Sequence, residues 1–336
     1  MTRYHGIGAL MLVVAGAAHA HDGKALIVTA SNTASNQLLV YSQTGALLRQ
    51  IPTLGQGGVG GNAGGIAQNH ARLAVVNFGS GNVSVFAKNA ERDDLQLERV
   101  VPASASPVSV AFGDDHLYIL TTTHVESHPI DNNGVNSTAD GSAALLVADG
   151  SAAQVGIVTG QLIISEKSNA IETVLLDRRG AVAGKATLVT NIPSNVNAPF
   201  GLATRGRDAY VTIAHADEIS LVRNDEVLAL TGSGTQHAPC WVTLDGSFLF
   251  SANSPSHSVS RYIVHGRTII QDAAVVATFN GSPTDITSGA GLAAVVDSNG
   301  TVSHLSIFDV DEDGTFGLLG VATIGTTTTN GVAVVD

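Results

Sequence analysis

Short apolar runs alternate with polar turns along almost the whole chain. Runs such as LYIL, YVTI, FLFS and VSRYIV are rich in β-branched and aromatic residues and partly alternate, the pattern of strands with one or both faces buried. Turn residues punctuate them: Gly113-Asp114-Asp115, Arg205-Gly206-Arg207-Asp208, Asp245-Gly246 and Asn299-Gly300. The runs come in sets. A strand follows a Pro or Gly, a second strand comes next, then a polar tip, then a third strand. The clearest copy is HAPCWVTLDGSFLFSANSPSHSVSRYIV, from His237 to Val264. Further copies start at Gly64, Ser106, Ala152, Asn197 and Ser282. No convincing amphipathic helix follows the first twenty residues, so an alternating βαβ architecture is not expected.

Anchored at the end of the second strand, the units fall at Val28, Val76, Leu120, Ile164, Ile213, Ser251 and Val296. Their spacing lies in the range of roughly 40 to 50 residues that marks propeller blades. The chain ends in TTTTNGVAVVD, a lone first strand, and near its start KALIVTA and QLLVYSQ read as second and third strands. Neither end makes a blade alone, and together they make one. The expectation is an all-β, seven-bladed β-propeller over residues 21–336, closed by pairing of the N- and C-terminal strands, which removes exposed sheet edges. His124 to Ala148 reads as an insertion, with SHPIDNNGVNSTADGS as a polar loop.

Composition changes this picture little. Of 336 residues, 44% are apolar and 13% charged, so a large core is available and disorder is not expected. The formal charge is −12 and no basic stripe is present, which excludes nucleic acid as a natural partner. Residues 1–20 read as a secretory signal peptide: Arg3 and His5, an apolar stretch, then Ala18-His19-Ala20 as the cleavage site. The expected location is therefore periplasmic or secreted, and not an integral membrane protein. Cys240 is the single cysteine, so no internal disulfide forms, and it reads as a small core residue.

In a four-stranded blade, the loops leading into first strands and the tips joining second and third strands open on one face. That face carries Asn77, Glu166, Lys167, His215, His237, Asn253, His257, Asp285 and Asp297, together with Phe200 and Trp241. Loops on a rigid scaffold are where binding residues concentrate. His237 reads as the candidate general base, with Glu166 and Lys167 to polarise or orient. Asn77, Phe200, His215, Trp241, Asn253 and Asp285 read as candidate binding residues for a small molecule. Adjacent strand residues point to opposite faces, so only one of Glu166 and Lys167 is expected to face the channel. Each has a structural alternative: a solvated tip for the Glu–Lys pair, a loop histidine for His237, interblade packing for Trp241.

Neither a cofactor nor a metal is expected. The chain has no Walker loop, no dinucleotide fingerprint and no G-x-S-x-G elbow, and its histidines have no close zinc-type spacing. Asp309 to Gly314 has the start of a calcium-loop spacing, but its twelfth position is Gly320 rather than Glu, so a hairpin turn is favoured. His21, as a mature N-terminus, is a minor copper candidate. The glycine-rich run GQGGVGGNAGG reads as a loop leading to a first strand with close backbone approach near the channel.

The segments GGVGGNAGGIA, SPVSVAF, AQVGIVTGQLIISEKSNAIETV, APFGLAT, HAPCWVTLDGSFLFSAN and SPTDITS resemble the propeller lactonase family. That family contains 6-phosphogluconolactonases and 3-carboxymuconate cyclases, and the resemblance is strongest to its exported, mostly uncharacterised bacterial members. It implies a lactone-forming or lactone-opening activity at the channel mouth. A non-catalytic propeller of the envelope, offering the same face to a small ligand or a partner protein, is the alternative. Enzymes of the family typically carry an Arg-His pair before the Asp-Gly turn of a channel strand and a Glu after Asn in the next tip. Here those positions are Ala238, Pro239 and Ser254.

Overall fold

The computed structural model describes residues 25–60, 63–89, 94–192 and 198–335. The expected signal peptide and His21 lie outside these residues. Among the described residues no helix is long and apolar enough to cross a membrane.

Seven antiparallel sheets form the molecule. Blade 1 pairs Asn330–Val335 with Leu26–Ala30, followed by Gln37–Tyr41 and Leu47–Pro52. The register runs from Leu26 opposite Val335 to Thr29 opposite Val332, so the two ends of the chain share one sheet, as the sequence predicts. Thr29 Oγ1 adds a 2.6 Å bond to the Gly331 carbonyl. The second strands of blades 2 to 7 are Arg72–Asn77, His116–Thr121, Gln161–Glu166, Asp208–Ile213, Phe248–Asn253 and Leu292–Ser298. The first strands form the inner ring, each packed on the next.

The core is a set of layers between blades. Ile27, Leu39, Leu292 and Leu305 fill one such layer, and Tyr210, Leu249 and Tyr262 another. These side chains are essentially fully buried. Burying a large apolar side chain is worth about 1.5–3 kcal/mol, so stability is spread around the ring.

The expected insertion at His124 to Ala148 is corrected by the structure. His124–Asp131 is the third strand of blade 3, paired with His116–Thr121. Its outer partner comes in two pieces, Gly134–Val135 and Gly141–Ala144. The strand hides its nature because Glu126, Ser127 and His128 are buried in polar contacts, so it lacks apolar alternation. Asp309 to Gly314 forms the hairpin turn: Asp311 N–H donates to the Thr315 carbonyl and Gly314 N–H to the Asp311 carbonyl.

Candidate functional site

Five first strands begin with a register shift at the same place, between Pro107 and Ser109, Ala152 and Gln154, Pro199 and Leu202, Pro239 and Trp241, and Pro283 and Asp285. Proline cannot donate to the sheet ladder, and a bulge re-aims the residue that follows it. The residues re-aimed this way build the axis. Gln154, Leu202, Trp241 and Asp285 line a cavity of about 210 Å3. An adjoining compartment of about 310 Å3 shares Gln154 and Leu202 with it.

The glycine-rich loop approaches this axis closely. Ala63 N–H, on blade 2, donates to the Ala153 carbonyl of blade 4 at 3.2 Å, and Ala63 packs in one cluster with Phe200 and Trp241. Gly64 has φ +63°, and a Cβ there would sit 2.8 Å from Ser109 Oγ. Only glycine meets both conditions. Asp285 is buried on the cavity wall and accepts the N–H groups of Ile286 and Val332. Burial pushes its carboxyl up to about 7, against the pull of those two bonds. Trp241 and Phe200 meet edge to face with centroids 5.3 Å apart. Lys167 Nζ lies 6.0 Å from the Phe200 ring centre. Burial lowers the Lys167 ammonium pKa, and the charges of Glu166 and Asp149 oppose this.

Three of the sequence-predicted residues occupy one repeat position, the last residue of the second strand. Asn77, Glu166 and Asn253 each pair with the first residue of the third strand. All three are fully buried. Asn77 accepts from Asn36 Nδ2 at 3.0 Å and Thr53 Oγ1 at 2.8 Å, and donates to Asn82 Oδ1 and Ser84 Oγ, both at 2.8 Å. Asn253 accepts from Ser251 Oγ and donates to Ser258 Oγ and Ser260 Oγ. These amides clasp strands and blades together. Glu166 accepts from Ser151 Oγ at 3.0 Å, while its buried Oε1 has no hydrogen-bond partner among the described residues. Burial pushes the Glu166 carboxyl up to about 8, with Glu172 and Asp149 adding to the rise and Ser151 opposing it.

His237 is placed differently. Its Nδ1 is 2.9 Å from Asp217 Oδ2, and its side chain is 67% exposed. Asp217 comes from the tip of blade 5 and His237 from the loop leading into blade 6. Asp217 Oδ1 accepts the Ala238 N–H at 2.7 Å, and Ser256 Oγ accepts the His237 N–H at 2.8 Å. Burial raises the Asp217 carboxyl, but the Ala238 bond, the His237 bond and the nearby His215 outweigh it, and the net shift is downward. Asp217 sits in the left-handed region at φ 55°, closing the short turn Ala214–Ala216 that carries His215. Ala238 is also left-handed, at φ 45°, and so is Ala198 one blade earlier. That strain belongs to the repeat, and at Ala238 it turns the N–H onto Asp217.

The structure thus brings His215, Asp217 and His237 together, and links Lys167, Phe200, Trp241 and the axial cavity with Asp285. Among the described contacts it does not join Glu166 to His237. Asp217 was not legible as a functional residue, because its partner lies twenty positions on in the next blade; the tip loop that carries it was legible. Cys240 packs part-buried beside Trp241, and burial pushes its thiol up to about 12, far from a nucleophile. Among the described residues no group of three or more His, Cys, Asp or Glu side chains could hold a metal ion.

The chain is a seven-bladed β-propeller. No protein-family model matches it, and no curated protein matches its sequence. Solved structures do. A Bacteroides fragilis protein provisionally named a 6-phosphogluconolactonase matches with a TM-score of 0.66 at 15% identity, over 95% of this chain and all of the other. A periplasmic gluconolactonase of Pseudomonas aeruginosa matches with a TM-score of 0.63 at 15% identity, over 93% and 98%. A catalytically inactive virginiamycin B lyase of Staphylococcus aureus, solved with quinupristin, matches with a TM-score of 0.54 at 11% identity, over 85% and 93%. At these identities the likeness is one of fold.

Proposed function

We propose that this chain is an exported lactone hydrolase of the propeller lactonase type, periplasmic or secreted, acting on a small neutral lactone at the face that carries the tips. The observation that supports this reading best is the Asp217–His237 pair. A carboxylate on Nδ1 fixes the imidazole tautomer and leaves Nε2, on the opposite edge of the ring, as the base. In the reaction, Nε2 takes a proton from water as the water oxygen attacks the lactone carbonyl. The ring C–O bond then breaks, and the imidazolium returns the proton to the departing alkoxide. One water is consumed and one hydroxy acid is formed. Lys167, held across Phe200, is the cation we assign to the new carboxylate.

Two of the matching folds carry gluconolactonase names, which supports a lactone, while the lyase shows that the fold alone does not choose the reaction. A phosphorylated sugar is disfavoured, because such a substrate needs paired Arg or Lys donors and this chain carries a net charge of −12. A pH-stat panel of aldonolactones and simple γ- and δ-lactones tests the proposal. Hydrolysis above the buffer rate by wild type, falling by about 10²-fold or more in His237→Ala, is the expected result. Equal rates for the two proteins across the panel would refute it.

A further inference from the structure

Counted from the bulge proline rather than from the strand end, the position of Asn253 is filled by Asp297 in blade 7, one residue before the end of its second strand. Asp297 stands opposite Pro283 as Asn253 stands opposite Pro239. On the neighbouring third strand, blade 6 has Ser258 and Ser260 where blade 7 has His304 and Ser306. In blade 6 the position is a closed amide–hydroxyl clasp. In blade 7 it is an acid–imidazole pair, with His304 Nδ1 3.3 Å from Asp297 Oδ2. The pair also borders a cleft of about 280 Å3 between the outer strand of blade 6 and blade 7.

Thr278, Asn280 and Ser306 add further polar groups to the lining, and its remaining residues are apolar or aromatic. Phe279, Phe308 and Phe316 line it, with Phe279 and Phe308 edge to face at 6.2 Å and Phe308 and Phe316 tilted by 35° at 5.1 Å. Three rings at such separations and tilts form a surface on which a further ring packs favourably. An apolar cavity of about 150 Å3 already admits benzene, so this cleft has room for one substituted ring. The polar end sets the substituent. Asp297 is 2% exposed; burial raises its carboxyl and the bond to His304 opposes that rise. A carboxylate facing Nδ1 favours the ring hydrogen there, which leaves Nε2 to accept, and Ser306 also lines the cleft. An acceptor at the end of an aromatic slot selects a ligand with a hydroxyl donor.

We infer that the cleft between blades 6 and 7 is a binding site for a monocyclic phenol, its ring among Phe279, Phe308 and Phe316 and its hydroxyl donating to His304. The site is separate from the tip-face pair and stands whether or not that pair hydrolyses lactones. Isothermal titration of the whole protein with phenol and with anisole, which has the ring and oxygen but no donor, tests it. Phenol should bind saturably in the millimolar range or tighter, and anisole at least tenfold more weakly. Asp297→Asn is the informative variant, because blade 6 already holds Asn at that position. Asp297 also accepts the Gly281 N–H, and an amide in its place no longer holds the ring hydrogen on Nδ1 as a carboxylate does, so phenol should lose at least tenfold while anisole is unchanged. Ala277→Phe, which fills the cleft, should abolish binding of both. Equal affinity for phenol and anisole, phenol binding unaltered by Asp297→Asn, or no saturation by phenol in the wild-type protein would each overturn the inference.

Discussion

Asp285 and Glu166 are carboxyls held in places where the charged form is poorly solvated. Burial raises the first to about 7 and the second to about 8. An unfolded Asp or Glu titrates near 4. Between about pH 4 and each raised value, the folded chain therefore holds protons that the unfolded chain has released. Stability must fall as pH rises through that window, the reverse of the usual salt-bridged carboxylate. For Asp285 the effect is of the order of a few kcal/mol. The thermal midpoint should drop between about pH 5 and 8, and Asp285→Asn should flatten part of that drop. A midpoint that climbs over the same range, or a variant with the wild-type slope, would contradict the burial argument. The sequence marked both residues as candidates on position alone. It could not separate the cavity wall at Asp285 from the buried strand end at Glu166, because that depends on which side of a strand faces the axis.

Each blade is made of elements whose ends are tied by short polar networks. Asn253 joins Ser251, Ser258 and Ser260, and Asn77 joins both blade 1 and its own third strand. Truncating such an amide leaves several buried hydroxyls unpaired, at about 1–3 kcal/mol. Asn253→Ala should lower the urea midpoint accordingly while leaving lactone turnover at the tip face near wild type. A midpoint unchanged by the truncation would show that the clasp is not structural. The strands themselves were legible from turn signals and apolar runs, with one exception. The third strand of blade 3 carries buried Glu126, Ser127 and His128 where an apolar stripe is usual. A polar strand satisfied by its neighbours reads as a loop until the neighbours are known. The bulges were invisible for the opposite reason: Pro107, Pro199, Pro239 and Pro283 were plain, but the register shift beside them is a property of the pair of strands.

At the scale of the ring, the period of the repeat was enough to count blades and to join the two chain ends in one sheet, because closure is demanded by unpaired edges. The chemistry of the tip face was less legible. His237 stood out as a histidine on a loop at the mouth, yet what orients it is Asp217, contributed by the preceding blade and brought alongside only when blades 5 and 6 pack together. The central claim is that this interblade pair is a working base, and one kinetic comparison tests it most directly. Asp217→Asn keeps an oxygen for the Ala238 N–H but no longer fixes the His237 tautomer. With a lactone that the wild type hydrolyses, the account predicts that Asp217→Asn lowers kcat by about 10²-fold or more with little change in KM. Equal kcat in wild type and Asp217→Asn would contradict it.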